Sequence, residues 1–430
     1  MPKVVIIGAG SGFGGKLSAD ILSREPLRDM VIALCDTNTD RLDKVANYVG
    51  RIIDAHHLPN KIIRDSDRCK LLEGADFVVT SVSVGGWAYW GKPYSDDIHI
   101  PAKYGVDQWI GDTIGPGGVF RFLRTAPVHL DFCRDIEKLC PNALLLNYTN
   151  PMAMLTWLHY AGSSVKNVGL CHSVQGTIKR LAEFIKLPHE EISYLVAGIN
   201  HQSWVLDIRH KGRDVYPLIR KAIDEPECYA RENIRFEIMR HFGYFPTESS
   251  GHNSEYVPYF RKSQKERDKY GLKTRVVANA PGNVREWQKD TGVSDDLPAG
   301  ALVRSHEFAS GIIEGVLTHQ PFHFNGNVRN DGLITNLPAA CCVEVPCHAD
   351  AQGIHASHVG ALPTQCAAIN RSNIALQELA VEAFFKRDKE AAFHAVAMDP
   401  LTAAVIDLDD IRRMFNEMWE SQKHLLKYFD

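Results

Sequence analysis

The chain has 430 residues, 45% of them apolar and 23% charged, enough for two large domains with well-buried cores. Its 48 Lys and Arg against 52 Asp and Glu leave a net charge of −4, without the concentrated basic surface that sequence-independent binding to nucleic acid requires. No apolar run approaches the ~18 residues of a membrane span, so neither nucleic acid nor a membrane is expected as a partner.

Met1-Pro2-Lys3 passes directly into Val4-Val5-Ile6-Ile7-Gly8, without the charged leader and long apolar stretch of a signal peptide. A cytoplasmic location is expected, and with it reduced thiols for the ten scattered cysteines. Residues 4–7 read as a buried strand and 8–22 as a glycine turn opening a helix. A second strand falls at 30–35 and a second helix at 41–53, with further strands at 77–84, 144–148 and 168–171. Continuous apolar strands separated by helices predict an α/β fold with a parallel, doubly wound sheet. From about residue 201 longer helical segments, at 230–242 and 372–387, surround a few strands such as 341–345. Residues 1–200 therefore read as one domain and 201–430 as a second, α+β domain.

The first motif is Gly8-Ala9-Gly10-Ser11-Gly12-Phe13-Gly14-Gly15, between the first strand and the first helix. Gly10, Gly12 and Gly15 have the G-x-G-x-x-G spacing, and Gly8-x-Gly10 marks a tight turn. Such a turn brings exposed N–H groups at a helix N-terminus close to a pyrophosphate. Asp36, ending the second strand, can accept hydrogen bonds from an adenosine ribose and disfavours the extra phosphate of NADP. These residues predict a Rossmann-like, NAD-binding unit with Gly8, Gly10, Ser11, Gly12 and Asp36 at the cofactor. The competing reading is a plain βα turn with Asp36 as a helix cap.

Asn147-Tyr148-Thr149-Asn150-Pro151-Met152 follows the 144–148 strand, where residues face the ligand crevice of such a sheet. It reads either as a helix start or as an amide presented to a cofactor or sugar. Cys171 and His201 end separate segments 30 positions apart. They fit two descriptions: a buried structural thiol with an unrelated imidazole, or a borderline-soft ligand pair for a divalent metal with open positions. The polar segment 247–256 can supply a base to the crevice or simply cap a helix. The Cys341–His348 run lacks C-x-x-C spacing and reads as a strand, and the histidine-rich 353–358 as a loop.

Together these residues resemble glycoside hydrolase family 4, and most of all its melibiase-type α-galactosidases. The resemblance rests on Gly8-Ala9-Gly10-Ser11, Asp112-Thr113-Ile114-Gly115-Pro116-Gly117-Gly118, Asn147 to Met154, and Cys171-His172-Ser173-Val174-Gln175-Gly176-Thr177. It continues through Ala197 to His201, Phe242 to Ser250, Glu255-Tyr256, and Asn327-Val328-Arg329-Asn330-Asp331-Gly332. Cys171-His172-Ser173-Val174 looks like the α-galactosidase form of a signature that varies with substrate. The α-galacturonidase form has Glu where this chain has Ser173. The chain departs from the pattern in its richer glycine loop and at Trp204, expected near the substrate entrance.

The resemblance implies an NAD- and manganese-dependent hydrolase of small-molecule glycosides, assembled as a homodimer or homotetramer. It places the metal on Cys171 and His201. It implies oxidation of the sugar at C3, loss of the C2 proton, elimination of the aglycone, water addition and return of the hydride, an exception to two-carboxylate glycosidases. In that scheme Tyr256 is the candidate base, His172 the candidate acid, and Asn150 and Asp112 bind sugar hydroxyls. Other expectations are an α-galacturonidase or α-glucosidase of the same family, a lactate/malate-type dehydrogenase, and a non-catalytic NAD-responsive regulator.

Overall fold

A computed structural model describes residues 1–85, 92–274, 293, 302 and 304–430. The first half forms the strands Lys3–Ile7 (β1), Val31–Cys35 (β2), Lys61–Asp65 (β3), Phe77–Thr80 (β4), Leu144–Asn147 (β5) and Asn167–Gly169 (β6); all but the exposed edge strand β3 are largely buried. They pair in parallel in the order β3-β2-β1-β4-β5-β6. The chain leaves β1 toward β2 and β3, then returns to its other side with β4. That reversal opens a crevice at the strands' C-terminal ends. The strand expected at 77–84 ends at Thr80, and residues 81–85 turn into the crevice instead.

The second half continues the same sheet. Its strands are Ile192–Ile199 (β7), Gln202–His210 (β8), Arg213–Asp214 (β9), Phe245–Pro246 (β10), Phe322–Arg329 (β11), Cys342–Asp350 (β12) and Gly353–Ala356 (β13). The order runs on from β6 as β11-β12-β7-β8-β10, all antiparallel, with β13 on β12 and β9 on β8. The 353–358 segment, expected as a loop, thus holds a strand: it has β12 to pair with, which local composition does not reveal. Long helices Thr364–Lys386 and Leu408–Gln422 pack their apolar faces into the main core. All ten cysteines are free thiols and eight are buried, as expected of small core residues. Among the described residues no helix is long and apolar enough to cross a membrane.

One row of residues across the sheet positions the site. Gly169 of β6 stands opposite Asn327 of β11, Asn327 opposite Glu344 of β12, and Glu344 opposite Gly198 of β7. This register fixes the end of β6, which leads to Cys171, relative to the β7–β8 turn, which carries His201.

Candidate active site

Gly8 has φ +87°, and a Cβ there would lie 2.1 Å from the Ser81 carbonyl oxygen, so only glycine makes this turn. Gly14 plays the role expected of a packing glycine, since its Cβ would meet the Ala9 carbonyl at 1.9 Å. Gly12 has open space around it, as a position where a ligand approaches the backbone should. The Ser11 hydroxyl caps the helix Gly12–Leu22 by accepting from the Phe13 N–H.

Asp36 accepts from the Gly10 N–H at 2.8 Å through Oδ2 and from the Asn38 N–H at 2.9 Å through Oδ1. Each carboxylate oxygen keeps a lone pair for a ribose hydroxyl. The helix Thr39–Ala55 is capped by Asn38, whose side chain accepts from the Arg41 N–H at 3.1 Å, so Asp36 is not its cap. Replacing Asp36 with Ala is expected to weaken NAD binding about 10- to 100-fold, the loss of one or two charge-assisted hydrogen bonds, and to narrow the preference over NADP. Fluorescence titration with both nucleotides checks this.

These residues line one end of a cleft of about 840 Å³, and Asp112, Arg121 and Asn150 line the other. The Asn150 amide donates to Asp112 Oδ2 at 3.3 Å, and the Thr113 hydroxyl to Oδ1 at 2.7 Å. Burial raises the Asp112 carboxyl, but Arg121, His252, the Thr113 hydroxyl and His201 outweigh it and hold it below its ordinary value. Asn147, by contrast, is buried and braces the turn, accepting from the Thr80 hydroxyl and the Thr149 N–H.

Cys171 and His201 come together with a third group, Glu248: the Cys171 sulfur, a His201 nitrogen and a Glu248 oxygen all lie within 4.8 Å of one another. His201 occupies the tight turn between β7 and β8 at φ +65°, and Glu248 sits at φ +73°. Two non-glycine residues in the left-handed region carry strain that the surrounding sheet over-determines. His201 Nδ1 is buried and has no hydrogen-bond partner among the described residues. Burial pushes the Cys171 thiol up to about 12, so it stays neutral until a cation stabilises the thiolate. Burial also acts to raise Glu248, but His252 at 3.2 Å and its neighbours His201 and His172 hold it well below the carboxylate range. An orphaned imidazole nitrogen, a thiol and an ionised carboxylate are a donor set that fits a divalent first-row metal.

Tyr256 ends the helix Ser250–Tyr256, which the Ser249 hydroxyl caps. The residue is 1% exposed, and among the described residues its hydroxyl has no hydrogen-bond partner. Burial, then Asp112, Glu255, Glu248 and Cys171, keep the phenol well above its ordinary value. His172 lies beside Cys171 with its Nδ1 3.6 Å from the Glu307 carboxylate, which raises its pKa to about 9. Glu307 in turn accepts from Lys16 at 2.8 Å.

A profile of family 4 glycosyl hydrolases matches residues 3–187, and that of the family 4 glycosyl hydrolase C-terminal domain matches residues 196–402. The chain belongs to glycoside hydrolase family 4. It is 40% identical to an α-galactosidase of Bacillus subtilis (strain 168), over 97% of this chain and 98% of that one. Identity to an α-galactosidase of Rhizobium meliloti (strain 1021) is 37%, over 99% and 89%. The fold matches that of a 6-phospho-β-glucosidase from Thermotoga maritima, solved with manganese, NAD+ and glucose-6-phosphate, with a TM-score of 0.80. That match covers 98% of this chain and 99% of the other at 22% identity.

Sequence reasoning missed several residues of this family 4 site. Glu248 lay within the polar segment 247–256 but was not distinguished from its neighbours. Glu255 had no visible role; its carboxylate accepts from the N–H groups of Trp109 and Ile110 at 2.6 Å and of Gly111 at 3.1 Å, holding the loop that presents Asp112. Glu255→Ala strands these donors. It is expected to cost about 2–4 kcal/mol in urea unfolding and to raise KM. Trp204 corrects an expectation: it is not at the substrate entrance but fully buried, its indole N–H donating to Asn370 at 3.0 Å. The β8 pattern places it on the core face.

Proposed function

We propose that this chain hydrolyses α-galactosides using bound NAD and a divalent ion, manganese most suitably, and that it works as a homodimer or homotetramer in the cytoplasm. Residues 1–200 would form the NAD-binding unit and 201–430 the substrate unit. One observation carries the reading: Cys171 and His201, distant in sequence, converge with Glu248 within 4.8 Å, next to Asp112 of the nucleotide-sized cleft. The two α-galactosidase relatives, and Ser173 in place of the Glu of α-galacturonidases, support galactose as the glycone.

When bound, NAD supplies hydride removal at C3 and its return, and the metal supplies Lewis acidity at the neighbouring sugar oxygens. The N–H groups of Gly8 to Ser11 are bonded within the turn, so the start of the helix at Gly12 would receive the pyrophosphate, and Asp36 the adenosine ribose. Cys171, His201 and Glu248 would hold the cation. Asp112 and Asn150, already bonded to each other, orient sugar hydroxyls. Tyr256 takes the C2 proton; its hydroxyl, held protonated by burial and then by the nearby carboxylates of Asp112, Glu255 and Glu248, becomes a usable base only beside a positive charge. His172, kept cationic by Glu307, gives a proton to the departing glycosidic oxygen.

A matrix of nitrophenyl α-galactoside and α-galacturonide, each with and without NAD, manganese and thiol, tests this. Nitrophenol should be released from the galactoside only when NAD and metal are both present, at constant NADH. Full activity after exhaustive chelation contradicts the metal role, and NADH accumulating with product indicates a dehydrogenase.

A further inference from the structure

The hairpin at the far end of β12 carries a second cluster of metal-binding side chains that the reaction does not use. β12 and β13 are joined through Ala351-Gln352, with Gly353 at φ +106° completing the turn. The register places His355 of β13 directly opposite His348 of β12, and His348 directly opposite His323 of β11. Directly paired residues of adjacent strands project from the same face, so three imidazoles form a row across three strands. Their ring centroids are 4.6 Å apart for His348 and His355, stacked at 15°, and 6.0 Å apart for His323 and His348.

Asp350 lies two residues beyond His348 on the same strand face. Its Oδ1 is 3.0 Å from His355 Nε2 and its Oδ2 is 3.9 Å from His348 Nε2. The Gln352 N–H donates to Oδ1 at 2.8 Å and fixes the carboxylate. One ligand atom from each of His348, Asp350 and His355 lies within 4.8 Å of the others. Around a first-row cation with bonds of about 2.1 Å, ligand atoms stand about 3–3.5 Å apart. Small side-chain rotations therefore close the site. All three side chains are one-quarter to two-fifths exposed, at 37%, 26% and 40%, which leaves an entry path and room for water ligands.

We propose that His348, Asp350 and His355 form a second, surface metal site, selective for an imidazole-preferring divalent cation such as zinc, with His323 adjacent as a further ligand. Imidazole and carboxylate without thiolate favour zinc over manganese. The site would tie β13, an edge strand held by one neighbour, to β12. It is independent of the proposed glycosidase activity.

The test counts zinc. The intact chain, equilibrated with micromolar Zn2+ and passed through gel filtration, should retain two equivalents. One belongs to Cys171, His201 and Glu248, the other to the hairpin. His348→Gln/His355→Gln should retain one, Cys171→Ser one, and the triple variant none. The hairpin variant should keep full α-galactosidase activity with NAD and manganese, and the triple variant should lose the rise in unfolding temperature that zinc gives to Cys171→Ser. Equal zinc content in the intact chain and the hairpin variant overturns the proposal, as does binding that appears only at millimolar zinc.

Discussion

Cys171→Ser is expected to lower kcat/KM by about a thousandfold or more and to abolish tight manganese binding while leaving the fold intact. Cys171 is 8% exposed and serine has nearly its volume, so packing changes little. What changes is the ability to become an anion. Burial already pushes the Cys171 thiol up to about 12, and only a bound cation makes its thiolate favourable. A hydroxyl resists ionisation far more, so the cation loses its charged soft ligand. A Lewis acid at the reacting oxygens is worth several kcal/mol, and ~4 kcal/mol corresponds to about a thousandfold in rate. Metal analysis, far-ultraviolet circular dichroism and steady-state kinetics together check it: retained fold, lost metal and lost turnover should coincide. Retained turnover with lost metal contradicts the assignment.

Tyr256→Phe is expected to lower kcat about 10²- to 10⁴-fold, the range for removing a positioned base, with manganese and NAD binding retained. The change deletes one oxygen that has no hydrogen-bond partner among the described residues, so the core around it should tolerate the substitution. Proton removal should then limit the rate, and substrate deuterated at C2 should show a large isotope effect in the variant. An unchanged kcat, or a drop without an isotope effect, removes Tyr256 as the base. The backbone around it is secured separately: Asn373 on the helix Thr364–Lys386 donates to the Tyr256 carbonyl at 3.1 Å and to the Gln202 side chain at 3.0 Å.

That helix illustrates where sequence reading stops. Five strands of the parallel half were legible because they are apolar runs, and a glycine turn before a helix has few uses; β3, an exposed edge strand of sequence Lys-Ile-Ile-Arg-Asp, carries no such run and was missed. Gly8, Gly10, Asp36, Asp112 and Asn150 accordingly line one cleft. Cys171 and His201 were legible as a pair only through the resemblance, since spacing of 30 residues says nothing about proximity. Their meeting depends on the Gly169–Asn327–Glu344–Gly198 row, a register set by four strands far apart in sequence. Glu344 had no sequence signal at all. It is fully buried, accepts from the Ser203 hydroxyl at 2.7 Å beside the His201 turn, and burial raises its carboxyl to about 7. Asn370 and Asn373 likewise look like ordinary helix residues until β8 and Tyr256 are packed against them.

In the proposed reaction an α-glycosidic bond is broken by removing the proton at C2, within a cycle that returns its hydride. The most direct test is hydrolysis of an α-galactoside in deuterium oxide, with NAD and manganese present, followed by magnetic resonance of the released galactose. Deuterium at C2 of the product, with no net NADH formed, is the predicted result. Galactose released at full rate with its original C2 proton would contradict the account.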